Sequence, residues 1–158
     1  MAKAIKFFKN NGGFITSPHT GLAYVPGNLY RTSLPLVMCA NGFHFPSNLL
    51  GIEEWGLNYY ASHLTSWIIE ISGVIIEDDI YNKFAVQNMK LIEEVPITIR
   101  SFDRRNSLRE LKSTLRNNHP DLIYFNRKFR STLLSVPEKQ GYLIRDELPE
   151  YSTYSIKD

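Results

Sequence analysis

The 158-residue sequence predicts an α+β fold, with a mixed, mainly antiparallel sheet, a short helix after residue 46 and a C-terminal helical hairpin. Short apolar runs separated by Gly, Pro and Asn turns fill residues 1–46, a pattern typical of antiparallel strands. Two longer strand patterns follow: 65–76 is rich in Ile, and 86–92 alternates along the strand. The length fits one domain, with a β-rich core at 1–99 and a basic helical region and tail at 100–158.

Turn residues delimit the first predicted strands. The sequence Asn-Asn-Gly-Gly at 10–13 predicts a hairpin between the apolar runs at 4–8 and 14–16. Three further short strands are predicted at 22–25, 29–31 and 36–39. Pro35 removes a backbone donor between the last two, which favours an edge or a break there.

A short helix is predicted after Pro46, because Ser47 or Asn48 can cap its first turn. Gly56 is predicted to end this helix. The next strand covers 65–72, with Gly73 as a bulge or tight bend, and an alternating strand follows at 86–92.

Helical spacing dominates the last third. Ser107 and Glu110 match a capping box, and Leu recurs at 108, 111 and 115 along one stripe. Apolar residues at 122, 125, 129 and 133 continue the spacing, so a second helix is predicted at 121–134.

Composition indicates a soluble protein of a reducing compartment. A single cysteine, Cys39, rules out an intramolecular disulfide, and no apolar run approaches the ~18 residues of a membrane span. The first nine residues have the pattern of a strand rather than a secretion signal. We expect a cytoplasmic location, in the host cytoplasm if the protein is viral, with Cys39 buried as a small apolar residue.

Charge is unevenly distributed. The chain carries a net charge of +2, but residues 99–158 hold twelve Lys/Arg against eight Asp/Glu, a net of +4. Six cations around the first late helix form the predicted partner-binding set: Arg100, Arg104, Arg105, Arg109, Lys112 and Arg116. Such a face predicts binding to nucleic acid or to an acidic protein, and the alternative is a solvated polar face.

No residue set predicts a metal, a cofactor or catalysis. The four histidines have no metal-ligand spacing with one another, and Cys39 has no cysteine partner. Neither a Walker A motif nor a Gly-x-Gly-x-x-Gly motif is present. These observations favour a non-enzymatic accessory or interaction protein.

A nucleotide pocket is the alternative hypothesis. Arg31 on an early strand and Ser47 before a short helix follow the order found in ADP-ribosyltransferase-type folds. The position of the catalytic Glu reads Gln-Asn-Met at 87–89, so the hypothesis is a degenerate transferase or a nucleotide-binding domain. Its predicted ligand-binding residues are Arg31, His44 and Ser47.

The segment at 36–44 ends an apolar run with Cys-Ala-Asn-Gly-Phe-His. With the later strands, it resembles an uncharacterised small domain of phage and bacterial accessory proteins, over about residues 4–95. The resemblance implies no activity, and implies a setting in phages, viruses or mobile elements. We interpret the segment as a strand-to-helix corner in which His44 satisfies a backbone group.

Overall fold

The computed structural model describes residues 1–59, 61–136 and 141–145, and within them an antiparallel sheet of nine strands carries two α-helices. The predicted α+β class is confirmed. The strands are β1 Ala2–Asn11, β2 Phe14–Thr16, β3 Ala23–Tyr24, β4 Leu29–Arg31, β5 Phe43–Pro46, β6 His63–Asp78, β7 Lys83–Arg100, β8 Leu133–Ser135 and β9 Tyr142–Ile144. The helices are α1 Leu49–Asn58 and α2 Arg104–Asn118.

The long hairpin of β6 and β7 forms the centre of the sheet. The two strands pair from His63–Arg100 to Asp78–Lys83, with three register shifts along the way. One shift follows Ser72, where Gly73 has a φ of +86° that favours glycine. The predicted bulge at Gly73 is therefore confirmed.

The remaining strands add to both sides of this hairpin. The main path is β3-β2-β1-β6-β7-β4, while β5 also pairs with β7, and β9 joins β6 to β8. The first and last strands of the path meet through the rings of Tyr24 and Tyr30, whose centroids lie 5.0 Å apart. The sheet therefore curls on itself and gains a concave side.

The two faces of β1 build two apolar clusters. Ile5 and Phe7 pack with residues of α1 and α2, while Ala4 and Phe8 pack in the cluster on the opposite side. By alternation, Lys6 shares the face of Ala4 and Phe8, which places an ammonium on an apolar surface.

Helix α1 extends further than predicted. Its N-cap is Asn48, whose Oδ1 accepts from the Gly51 N–H at 2.7 Å. The prediction that Gly56 ends the helix is wrong, because Gly56 lies inside it and is buried against α2. A Cβ there would lie 2.3 Å from Leu108 Cδ2, so glycine serves close helix packing.

Helix α2 begins three residues before the predicted capping box. Ser107 lies inside it and its Oγ donates to the Asp103 carbonyl at 2.8 Å. The predicted leucine stripe is confirmed, since Leu108, Leu111 and Leu115 are buried. No helix in the described ranges is long and apolar enough to cross a bilayer.

The predicted second helix at 121–134 does not form. Turns, a 3-10 turn at Arg130–Thr132 and β8 occupy that range. The consecutive residues Leu122 and Ile123 enter different apolar clusters, and the Ile123 N–H donates to the Lys3 carbonyl at 3.0 Å. Tertiary packing has therefore overridden the helical spacing.

Tyr124, in the same segment, connects β1 and β5, which do not pair with each other in the sheet. Its hydroxyl accepts from the Ile5 N–H at 3.2 Å and donates to the Pro46 carbonyl at 2.8 Å. Burial raises the pKa of this phenol, so it keeps its proton and its donor role. A side chain from the segment after α2 thus joins β1 to β5.

The predicted strand at 36–39 is also wrong. The segment forms a loop with a single isolated bridge between Val37 and Asn41. The Asn41 amide donates to the carbonyls of Ser33 and Pro35 at 2.6 and 2.9 Å. Those local hydrogen bonds take the place of strand pairing. The expectation that Cys39 is buried is also wrong, because Cys39 is exposed, with a φ of +66°.

We predict that Gly56→Ala lowers the free energy of unfolding by about 1–3 kcal/mol, because the added methyl overpacks the contact with Leu108. Urea denaturation measures the change. Leu50→Ala in the same helix is the control, since Leu50 is 56% exposed and its truncation should change stability by less than about 0.5 kcal/mol. Equal effects of the two substitutions would contradict the packing argument.

Candidate functional site

A cavity of about 630 Å³ lies where β1, the segment from the end of β4 to the start of β5, α1 and the turn between β6 and β7 meet. That volume falls within the range of ligand sites, about 300–1,000 Å³. The curl of the sheet brings these elements together, since their lining residues run from Lys6 to Lys83 in the chain. We refer to it below as the cavity.

Two lysines with little exposure line the cavity, and we call Lys6 and Lys83 the lysine pair. Each residue is 7% exposed. The Lys6 ammonium donates to the His44 carbonyl and lies 5.7 Å from the centroid of the Phe8 ring. Burial lowers the pKa of Lys6 from 10.5 to about 8.

Lys83 reaches the cavity from the start of β7. Its Nζ lies 2.6 Å from Cys39 Sγ and 5.6 and 5.5 Å from the ring centroids of Trp55 and Tyr81. Aromatic faces attract cations, so the two rings hold the ammonium in place. Across the described residues, no carboxylate forms an ion pair with either member of the lysine pair.

His44 closes the loop at the edge of the cavity. Its Nε2 accepts from the Cys39 N–H at 2.8 Å, which confirms the expectation that this ring satisfies a backbone group. Burial, with the charges of Lys6 and Lys83, lowers the pKa of His44 to about 4, although a backbone hydrogen bond to Gly42 opposes the shift. The imidazole is therefore neutral near pH 7 and acts as a structural acceptor.

Aromatic rings form much of the remaining wall. Tyr24, Trp55 and Tyr59 all line the cavity, and the last two meet edge to face at 5.5 Å. The Trp55 Nε1–H donates to the Tyr81 carbonyl at 3.1 Å, which fixes the indole. Such rings supply flat apolar contact area to a bound molecule.

The structure brings together two of the three predicted ligand-binding residues. Arg31 and His44 line the cavity, but Ser47 does not. Ser47 is 8% exposed and lies just before the N-cap of α1, and its Oγ has no hydrogen-bond partner in the described part of the chain. The Arg31 and Ser47 pair of a transferase-like site is thus not assembled around this cavity.

Arg104, from the predicted basic face, is engaged inside the fold. Its guanidinium donates to four carbonyls at the end of α1 and in the loop after it, those of Gly56, Leu57, Tyr59 and Ala61. These carbonyls lack helical partners, so Arg104 acts as a C-terminal cap. Such a role leaves few of its donors for a partner.

The other cations of that face divide into two groups. Lys112 pairs with Glu53 of α1, with Nζ and Oε2 3.0 Å apart. The exposed members are Arg100, Arg105, Arg109 and Arg116. Among the described residues, no group of three or more His, Cys, Asp or Glu side chains converges as a metal site.

We predict that Arg104→Ala lowers the free energy of unfolding by about 2–3 kcal/mol, because it leaves several carbonyls without donors. Urea denaturation measures this loss. Arg105→Ala, one residue along α2 and exposed, is the matched control and should change stability by less than about 0.5 kcal/mol. If both variants behave alike, the capping role of Arg104 is refuted.

Lys6 should make stability rise with pH. Its folded pKa of about 8 lies below the usual 10.5, so between these values the unfolded chain binds the extra proton. Relative to Lys6→Met, the wild type should gain about 2–3 kcal/mol of unfolding free energy between pH 7 and 10.5. Denaturation series at each pH, with Lys9→Met as control, measure it, and parallel curves for wild type and Lys6→Met would contradict it.

The family model of a domain of unknown function, DUF7666, matches residues 2–101. The match includes β1 to β7 and the whole lining of the cavity, and ends before α2. It confirms an uncharacterised domain over nearly the range that the resemblance covered. No curated protein and no solved structure matches the chain.

Proposed function

Because the chain belongs to the DUF7666 family, whose function is unassigned, we propose a function from the cavity itself: binding of a small organic anion with an aromatic ring, of the nucleotide class. The lysine pair is the observation that carries this proposal. Two ammonium groups on residues only 7% exposed share one cavity without a carboxylate partner among the described residues.

An anion would compensate the burial of these charges. Taking an ammonium out of water is unfavourable unless it is paired and hydrogen-bonded. Lys6 has three donor hydrogens and, among the described residues, one hydrogen bond, to the His44 carbonyl, so it retains donors for a ligand oxygen. A phosphate or carboxylate placed between Lys6 and Lys83 would receive charge-assisted bonds from both.

The cavity wall favours a ligand that also carries a ring. Tyr24, Trp55 and Tyr59 offer aromatic faces and edges on the same cavity. Base stacking on such side chains contributes about 1–3 kcal/mol per base. Arg31 lines the cavity as well and adds a third cationic group for a phosphate.

The basic face of α2 stays a separate prediction. Its exposed arginines, Arg100, Arg105, Arg109 and Arg116, suit a nucleic acid or an acidic protein. Three of the six predicted cations have intramolecular partners, however, namely Arg104, Lys112 and Arg116, which lies over the Phe125 ring. The cavity is the better supported site, because the lysine pair is only 7% exposed and the walls are concave. The phage or viral setting and the cytoplasmic location likewise stay predictions.

Calorimetric titration of the four ribonucleoside monophosphates and their nucleosides tests the proposal. We expect saturable binding of at least one nucleotide, and at least tenfold weaker binding of its nucleoside, because the nucleoside lacks the anion. Lys6→Met and Lys83→Met should each weaken nucleotide binding at least tenfold. Lys9→Met, on the same strand but outside the cavity lining, is the matched control and should bind as the wild type does.

Two outcomes would reject the proposal. One is the absence of any nucleotide binding at millimolar concentration by wild type whose folding is confirmed by circular dichroism. The other is an equal loss of affinity in Lys9→Met and Lys6→Met, which would place the ligand outside the cavity.

A further inference from the structure

Glu54 places a carboxylate in the same cavity as the lysine pair. Its Oε2 accepts from Asn82 Nδ2 at 3.1 Å, and no cation pairs with it within the described residues. The adjacent Glu53 is the carboxylate that binds Lys112. Within the described residues, the cavity therefore holds one carboxylate and the lysine pair, none of which forms an ion pair.

A chain of side-chain amides fixes the position of Glu54. Asn48 Oδ1 is occupied by the Gly51 N–H, so its Nδ2 is the group that donates to Asn82 Oδ1, at 3.0 Å. Asn82 then has its Nδ2 left for Glu54. Because each amide carries one donor end and one acceptor end, the helix cap sets the direction of the whole chain. The carboxylate is thus held in place before any ligand binds.

The charges in the cavity indicate two features of the ligand, one facing Glu54 and one facing the lysine pair. A carboxylate accepts hydrogen bonds and cannot donate them, so Glu54 requires a ligand edge that carries donors. The lysine pair requires an anion on the same ligand. A carboxylate with both oxygens available for further bonds is best matched by two adjacent N–H groups.

We propose that Glu54 selects a guanine base, an inference that rests on the proposed nucleotide binding. The Watson–Crick edge of guanine has two adjacent donors, N1–H and N2–H, which match the two carboxylate oxygens. The same edge of adenine or cytosine places an acceptor beside its amino group, and that acceptor would face a carboxylate oxygen. Uracil offers one donor between two acceptors. Trp55, next to Glu54 and lining the same cavity, would contact the bound base.

Titration of GMP, IMP and AMP into wild type, Glu54→Gln and Glu53→Gln tests the selection. IMP lacks only the N2 amino group, so wild type should bind GMP about tenfold more tightly than IMP, and both more tightly than AMP. Glu54→Gln keeps the size of the side chain and should weaken GMP at least tenfold. Its affinity for AMP should stay equal or rise, because the amide can donate to the adenine acceptor that faced a carboxylate oxygen. Glu53→Gln, the neighbouring carboxylate that pairs with Lys112, should retain the order of the wild type.

The outcomes separate this inference from the proposal beneath it. Equal affinities of wild type for the three nucleotides, or an equal loss of all three in Glu54→Gln, would overturn guanine selection and leave nucleotide binding standing. Failure of every nucleotide to bind wild type would overturn both. A GMP preference that disappears in Glu54→Gln alone supports both.

Discussion

The paired strands β6 and β7 are the constraint on which the rest of the structure depends. β1 and β9 add to β6, whereas β4 and β5 add to β7, so each of these strands takes its position from the hairpin. Three register shifts interrupt its ladder, and bulges of this kind increase the local twist of a sheet. The curl that follows carries β1 and β5 around to the concave side, where the cavity lies.

The lysine at the cavity serves the proposed binding but lowers the stability of the fold. A lysine on the apolar face of β1 weakens the fold at neutral pH, as the lowered pKa of Lys6 indicates. An apolar residue there would suit the core better, and sites shaped by function often depart from the most stable choice in this way. His44, in contrast, stabilises the fold, because its neutral ring accepts a hydrogen bond within the loop that forms one wall of the cavity.

The sequence predicted those features of the structure that depend on interactions between residues close together in the chain. The turn before β2, the bulge at Gly73 and the leucine stripe of α2 follow from turn chemistry and periodicity. Residues 121–134 have helical spacing but do not form a helix, because Leu122 and Ile123 pack into different clusters. Arg31 and His44 were predicted as ligand residues and line the cavity. Lys83 was not predicted, because it reaches the cavity through pairing of β7 with the distant strand β5. Lys6 was detectable in principle, as a charge in an alternating apolar strand.

The hydroxyl of Tyr124 has a consequence for where this domain begins and ends. The residues shared with the family stop at 101, yet the bridge between β1 and β5 comes from residue 124, and β9 pairs with β6 from further along still. Leu108, Leu111 and Leu115 cover the sheet face formed by Ile5 and Phe7. The region that the family model matches is therefore smaller than the unit that is buried together. In a chain reduced to the matched region, the sheet face of Ile5 and Phe7 would lose its cover and β1 and β5 would lose the Tyr124 bridge, so residues 2–101 depend on the segment that follows them.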